Sequence, residues 1–89
     1  MAKKKSSRKA KKQDVKSGPA AVLREVVRRR LIAIRAEMGL SQLVVAERAG
    51  MHGSSYNDIE CGRVDVRLSG LARIAAALGV SVADVVSDA

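Results

Sequence analysis

The residues able to do chemistry in this sequence fall into two groups, and both suit binding better than catalysis. Eight cations crowd the first nineteen residues, Lys3, Lys4, Lys5, Arg8, Lys9, Lys11, Lys12 and Lys16, against one acid, Asp14. Cations at that density neutralise phosphates, through a force indifferent to base sequence and weakened by salt. The second group is a short polar run opened by Gly53 and holding Ser54, Asn57 and Asp58. An asparagine can pair with an adenine edge, a serine hydroxyl with a base or phosphate, and a carboxylate with a cytosine amino group. No nucleophile stands beside a base, and there is no carboxylate pair and no glycine-rich phosphate loop, so an enzyme is the class least supported.

One cysteine, Cys61, and one histidine, His52, complete the reactive side chains. A lone cysteine excludes an intrachain disulfide and a cysteine-based zinc site. No metal or cofactor is expected. His52 reads as a helix cap or phosphate contact before it reads as a metal ligand. Cys61 reads as a passive side chain, the alternative being redox sensing or an intermolecular disulfide.

The elements that must position these groups follow from composition. The chain has 89 residues and a formal charge of +8. Beyond residue 19 nine arginines meet eight acids and no lysine occurs, so a basic arm precedes a nearly neutral body. A body of about 70 residues holds one modest core. With one tyrosine and neither tryptophan nor phenylalanine, that core must be aliphatic. No apolar run is long enough to span a membrane, and no apolar stretch follows the basic start, so neither a membrane segment nor a secretory signal is expected.

Residues 1–19 contain one strong hydrophobe, Val15. They cannot bury enough surface to offset the entropy of ordering, and are expected to be disordered in isolation. Three readings of this arm stand side by side: a phosphate-binding arm on a duplex, a solvated tail that aids solubility, and a nuclear localisation signal carried by the basic cluster.

From Ala20 the pattern is helical. Leu23, Val27, Leu31 and Ile34 recur at helical spacing with Val26 and Met38 beside them, and Gly39 stops the helix. Arg28, Arg29 and Arg30 read most simply as its solvated face, the alternative being that one of them extends the phosphate-binding surface. Ser41 caps a second helix over 42–49, ended by Gly50. A third begins between His52 and Ser54 and runs to Glu60 or Cys61, stopped by Gly62. Residues 63–67 form a linker in which Asp65 is placed to cap the fourth helix, built on Leu68, Leu71, Ile74, Ala75 and Leu78. Ser81 caps a last short helix with Val82, Val85 and Val86. Val64 and Val66 alternate with charges, but a partnerless strand of that length is weak. The expected fold class is all-α, a compact five-helix domain over 20–89.

The span Gln42–Ile59 reads as helix, glycine-containing turn and second short helix. Ala46 is small where the helices cross, Gly50 sits at the turn, and Val45, Ala49, Met51, Tyr56 and Ile59 point inward. Tyr56 is expected in the core with its hydroxyl at the rim. This is helix-turn-helix geometry, in which the second helix enters a major groove.

On these residues the chain resembles the lambda-repressor-like family, the Cro/C1-type or XRE helix-turn-helix proteins. The matching pieces are Leu31-Ile32-Ala33-Ile34-Arg35, Gly39-Leu40-Ser41-Gln42, Ala46-Glu47-Arg48-Ala49-Gly50, Ile59-Glu60-Cys61-Gly62 and the segment from Leu71 to Ser81. The resemblance implies a repressor-like transcriptional regulator that binds double-stranded DNA, in the cytoplasm and on the nucleoid of a bacterium or for a phage. It implies base contacts from Gly53, Ser54, Asn57 and Asp58, and phosphate contacts from Ser41, Gln42 and Arg63, with Lys3, Lys4, Lys5, Arg8 and Lys9 of the arm beside them. It implies a partly buried salt bridge between Arg35 and Glu60. Breaking one side of such a pair costs about 3–5 kcal/mol if fully buried. It also implies a homodimer formed through the C-terminal helix, so Val82, Val85 and Val86 are either core cover or a dimer seam.

Two features depart from the family pattern. The reading helix holds no Arg or Lys between Met51 and Cys61, and Asp58 sets an acid against a polyanion. Leu43 and Val44 stand where the family has polar residues. Adjacent apolar residues there fit either scattered exposure or a surface for a protein partner or second copy. The competing function class is therefore a protein-interaction module, antitoxin-like or adaptor, on a helix-turn-helix scaffold, with the third helix merely packing.

Overall fold

The computed structural model describes residues 18–87, and the described residues form five helices and no strand. In chain order these are α1 (Pro19–Met38), α2 (Gln42–Ala49), α3 (Gly53–Glu60), α4 (Leu68–Leu78) and α5 (Val82–Val86). The arm residues Lys3, Lys4, Lys5, Arg8 and Lys9 lie outside the described residues.

Pro19 opens α1. Its fixed φ suits the first helical turn, where its missing N–H is not needed. The helix has 20 residues, about 30 Å at 1.5 Å per residue. That exceeds what α3 and α5 can cover. Val26, Val27, Leu31 and Ile34 are therefore buried at its middle, while Leu23 and Met38, expected on the same stripe, are exposed at its overhanging ends.

Ser41 caps α2 by accepting from the Val44 N–H at 3.2 Å. Ser81 and Asp84 form a reciprocal capping box on α5, the hydroxyl accepting from the Asp84 N–H and the carboxylate from the Ser81 N–H. Asp65 does not cap α4. It sits two residues ahead of the N-cap, Arg67, which makes no side-chain capping bond, and its carboxylate pairs with Arg24 on α1.

Helix α2 packs on α3 and α4, while α1 receives α3 and α5. The core is aliphatic around Tyr56, with Leu31, Val45, Ile74 and Val85 fully enclosed. Val66 of the linker packs against it as a partly buried residue, not as a strand. Of the two readings of the C-terminal valines, core cover holds for Val85, which is therefore no part of a dimer seam. A helix this short must commit one face to α1 and α4, and Val85 is the residue on that face. Val82 remains exposed and Val86 is partly buried.

Candidate nucleic-acid interface

The turn between α2 and α3 is built by Gly50, whose φ of 71° is left-handed. A side chain there would be strained. In this conformation the Met51 N–H reaches back to the Ala46 carbonyl at 2.9 Å and the Gly50 N–H to that of Glu47 at 3.1 Å. The chain thus leaves α2 and enters α3 after three residues, over a crossing where Ala46 is fully buried.

What holds α3 in place is Glu60, only 4% exposed at the helix end. Its carboxylate accepts from Arg35 twice, Nε to Oε2 at 2.7 Å and Nη2 to Oε1 at 3.0 Å. The Tyr56 hydroxyl donates to Oε2 at 2.6 Å and the Gln42 amide to Oε1 at 2.9 Å. Arg35 Nη1 also donates to the Leu40 carbonyl at 2.9 Å. One carboxylate thereby joins α1, α2 and α3. Burial opposes its charge, but the donors Arg35, Tyr56 and Gln42 prevail and hold its pKa below the usual carboxylate value. The Tyr56 hydroxyl is pushed up by burial and by its bond to Glu60. Tyr56 therefore does not reach the rim: its hydroxyl is buried, because Glu60 one turn on needs a donor.

With Tyr56, Ile59 and Glu60 turned inward, α3 presents the opposite face. Ser54 and Ser55 are exposed there, and Gly53, Asn57 and Asp58 are half-buried. Ser55 is absent from the sequence-based candidates, although its spacing of three from Asp58 places both on one side of the helix. Asn57 Oδ1 lies 3.8 Å from the Cys61 thiol, which donates to it. Asp58 Oδ1 accepts from Arg63 Nη1 at 2.8 Å, so the acid is paired with the adjoining cation. His52 is the N-cap of α3 and makes no side-chain capping bond.

The phosphate candidates within the described residues already have partners. Ser41 caps α2, Gln42 serves Glu60, and Arg63 serves Asp58. The Ser41 hydroxyl hydrogen and the second N–H of Gln42 stay free to donate. Of the triple arginine on α1, Arg28 and Arg29 pair with Glu25, and Arg30 donates to the Asp84 carbonyl at 2.9 Å. Leu43 is exposed at the start of α2, and Val44 beside it is half-buried. No described helix is long and apolar enough to cross a membrane, and no three His, Cys, Asp or Glu side chains among the described residues gather to hold a metal.

Comparison with known proteins places this geometry. The helix-turn-helix domain family matches residues 20–87. The immunity repressor protein of Bacillus phage phi105 is 40% identical over 62 residues, covering 70% of this chain. The match spans 43% of that relative's length. Among solved structures, the hypothetical transcription factor NHTF from Neisseria superposes with a TM-score of 0.71 at 29% identity, over 73% of this chain and 75% of that one.

Proposed function

The chain belongs to the helix-turn-helix domain family, a family of DNA-binding domains and not of enzymes, and on that premise we propose that it is a sequence-specific, repressor-like transcriptional regulator that reads double-stranded DNA through α3. The observation that carries this reading is the division of α3. Its Tyr56, Ile59 and Glu60 are locked into the body, and its Ser54, Ser55, Asn57 and Asp58 are left on the other side. A helix read by a major groove needs that rigidity on one face and hydrogen-bonding groups on the other.

In this reading Ser54 and Asn57 contact base edges, and Gly53 lets the helix backbone approach closely. Asp58 accepts from a base amino group while Arg63 shields its charge. Ser41, Gln42 and Arg63 hold phosphates beside the arm cations Lys3, Lys4, Lys5, Arg8 and Lys9, which supply affinity without sequence preference. Two copies joined near Val82 and Val86 would set two α3 helices roughly 34 Å apart on a pseudo-palindromic site. The site of action is the DNA of a bacterial cell, for its host or for a phage.

The test compares the full chain with residues 20–89 against a randomised duplex pool at physiological salt. Enrichment of one motif by both supports the reading and makes the arm an accessory to affinity. Binding by the full chain alone, with a steep salt slope and no enriched motif, overturns it and leaves a basic arm on a domain whose partner is a protein.

A further inference from the structure

Gly53 is the first residue of α3, where a side chain would be the foremost to enter a groove, and it has none. A Cβ built on Gly53 would lie 3.4 Å from Leu43 Cδ1. Leu43, the second residue of α2, therefore leans over the start of α3, yet remains 57% exposed. The rest of its surface faces solvent. An exposed leucine in this place contributes nothing to the core of the free protein.

We propose that Leu43 is a specificity-determining residue, supplying from α2 the base contact that position 53 lacks, and that its target is the C5-methyl group of a thymine. The chemistry of the groove selects the target. The thymine methyl is the apolar feature that base pairs present in the major groove, and apolar side chains read it by contact. A Cβ at position 53 would only touch Leu43 Cδ1, so the leucine lies beside the first residue of α3 and brings the tip of α2 to the edge of the reading surface. This inference rests on α3 lying in the major groove, as proposed above.

The experiment uses the full chain and the motif enriched from the random pool. Each thymine of the motif is replaced in turn by deoxyuridine, which removes only the methyl group. Affinities are measured for the wild type, Leu43→Ala and Leu43→Met, with thermal melts to verify folding. One replacement is expected to weaken the wild type about fourfold, the equivalent of one lost buried methyl. Leu43→Ala should bind the thymine and deoxyuridine duplexes equally, and Leu43→Met should keep the discrimination. If no deoxyuridine matters to the wild type, or if the loss persists in Leu43→Ala, the inference is overturned while sequence-specific binding by α3 stands. Unchanged DNA affinity of Leu43→Ala also overturns it. A pool with no enriched motif overturns both this inference and the functional reading beneath it.

Discussion

Asp58 and Arg63 meet at 2.8 Å where α3 gives way to the linker, so the one acid on the outer face of α3 is held by the cation nearest to it. The pair is exposed, with side chains 41% and 59% accessible, and contributes little to stability. Its consequence is electrostatic. It masks a negative charge that would otherwise face a polyanion, and it holds Arg63 close to α3.

Releasing this pair should change DNA binding in opposite directions from its two ends. Asp58→Asn removes an acid from the face turned to the polyanion and leaves Arg63 wholly to its phosphate, so affinity for random duplex should rise. Arg63→Gln leaves Asp58 bare, so affinity should fall on all sequences. Titrations of a random duplex at several salt concentrations read both effects. A weaker complex from Asp58→Asn on random duplex would sink this account.

The Glu60 cluster should dominate stability among polar groups. Arg35→Ala leaves a buried carboxylate short of its cation and should cost about 3 kcal/mol. Tyr56→Phe removes one donor to a charged acceptor and should cost about 2 kcal/mol. Gln42→Ala should cost about 1 kcal/mol, since Glu60 keeps its other donors. Urea denaturation of the three variants gives the ranking, and a Gln42→Ala loss larger than that of Arg35→Ala would contradict it.

Stability should depend on acid in a direction set by Glu60. Its pKa in the fold lies below the ordinary value of 4.5. The unfolded chain therefore takes up a proton first as pH falls. The contribution is complete above about pH 4.5 and is lost as pH drops through the lower folded value. Glu60→Gln should flatten that acid limb. Glu25→Gln should leave it nearly unchanged, because the Glu25 pairing with Arg28 and Arg29 is exposed and screened. At the alkaline end the raised Tyr56 hydroxyl works in the other sense: stability should decline above the ordinary tyrosine value of 10.0, and Tyr56→Phe should remove that decline. Urea midpoints from pH 3 to 11 test both limbs.

The C-terminal valines should separate folding from assembly. Val85→Ala empties a fully enclosed site and should cost about 2 kcal/mol with no change in oligomeric state. Val82→Asp alters an exposed position and should spare the fold while dissociating the proposed dimer. Light scattering beside thermal melts distinguishes them, and a dimer untouched by Val82→Asp would place the seam elsewhere.

Much of the backbone path was legible because its signals are local. Gly39, Gly50 and Gly79 stop helices, and Ser41 and Ser81 start them, through bonds that span a few residues. Asp65 shows the limit of that local logic: it is the right residue type near a helix start, but Arg24, far off in sequence, takes its carboxylate. The Tyr56–Glu60 bond lies between, since a spacing of four on one helix puts the two side chains on one face. Ser55 was within reach of the same rule.

Composition, spacing and caps by themselves determined an all-α body with an aliphatic core, a turn at Gly50 and a polar third helix behind a basic arm. They could do so because helix periodicity, capping and charge density act within a few residues along the chain. Only the tertiary structure decided that Gln42 serves Glu60 across 18 residues, that Val85 is core while Val82 is surface, and that Leu43 lies beside Gly53. Each depends on which face of one helix meets another, and that choice is made by packing the whole body at once.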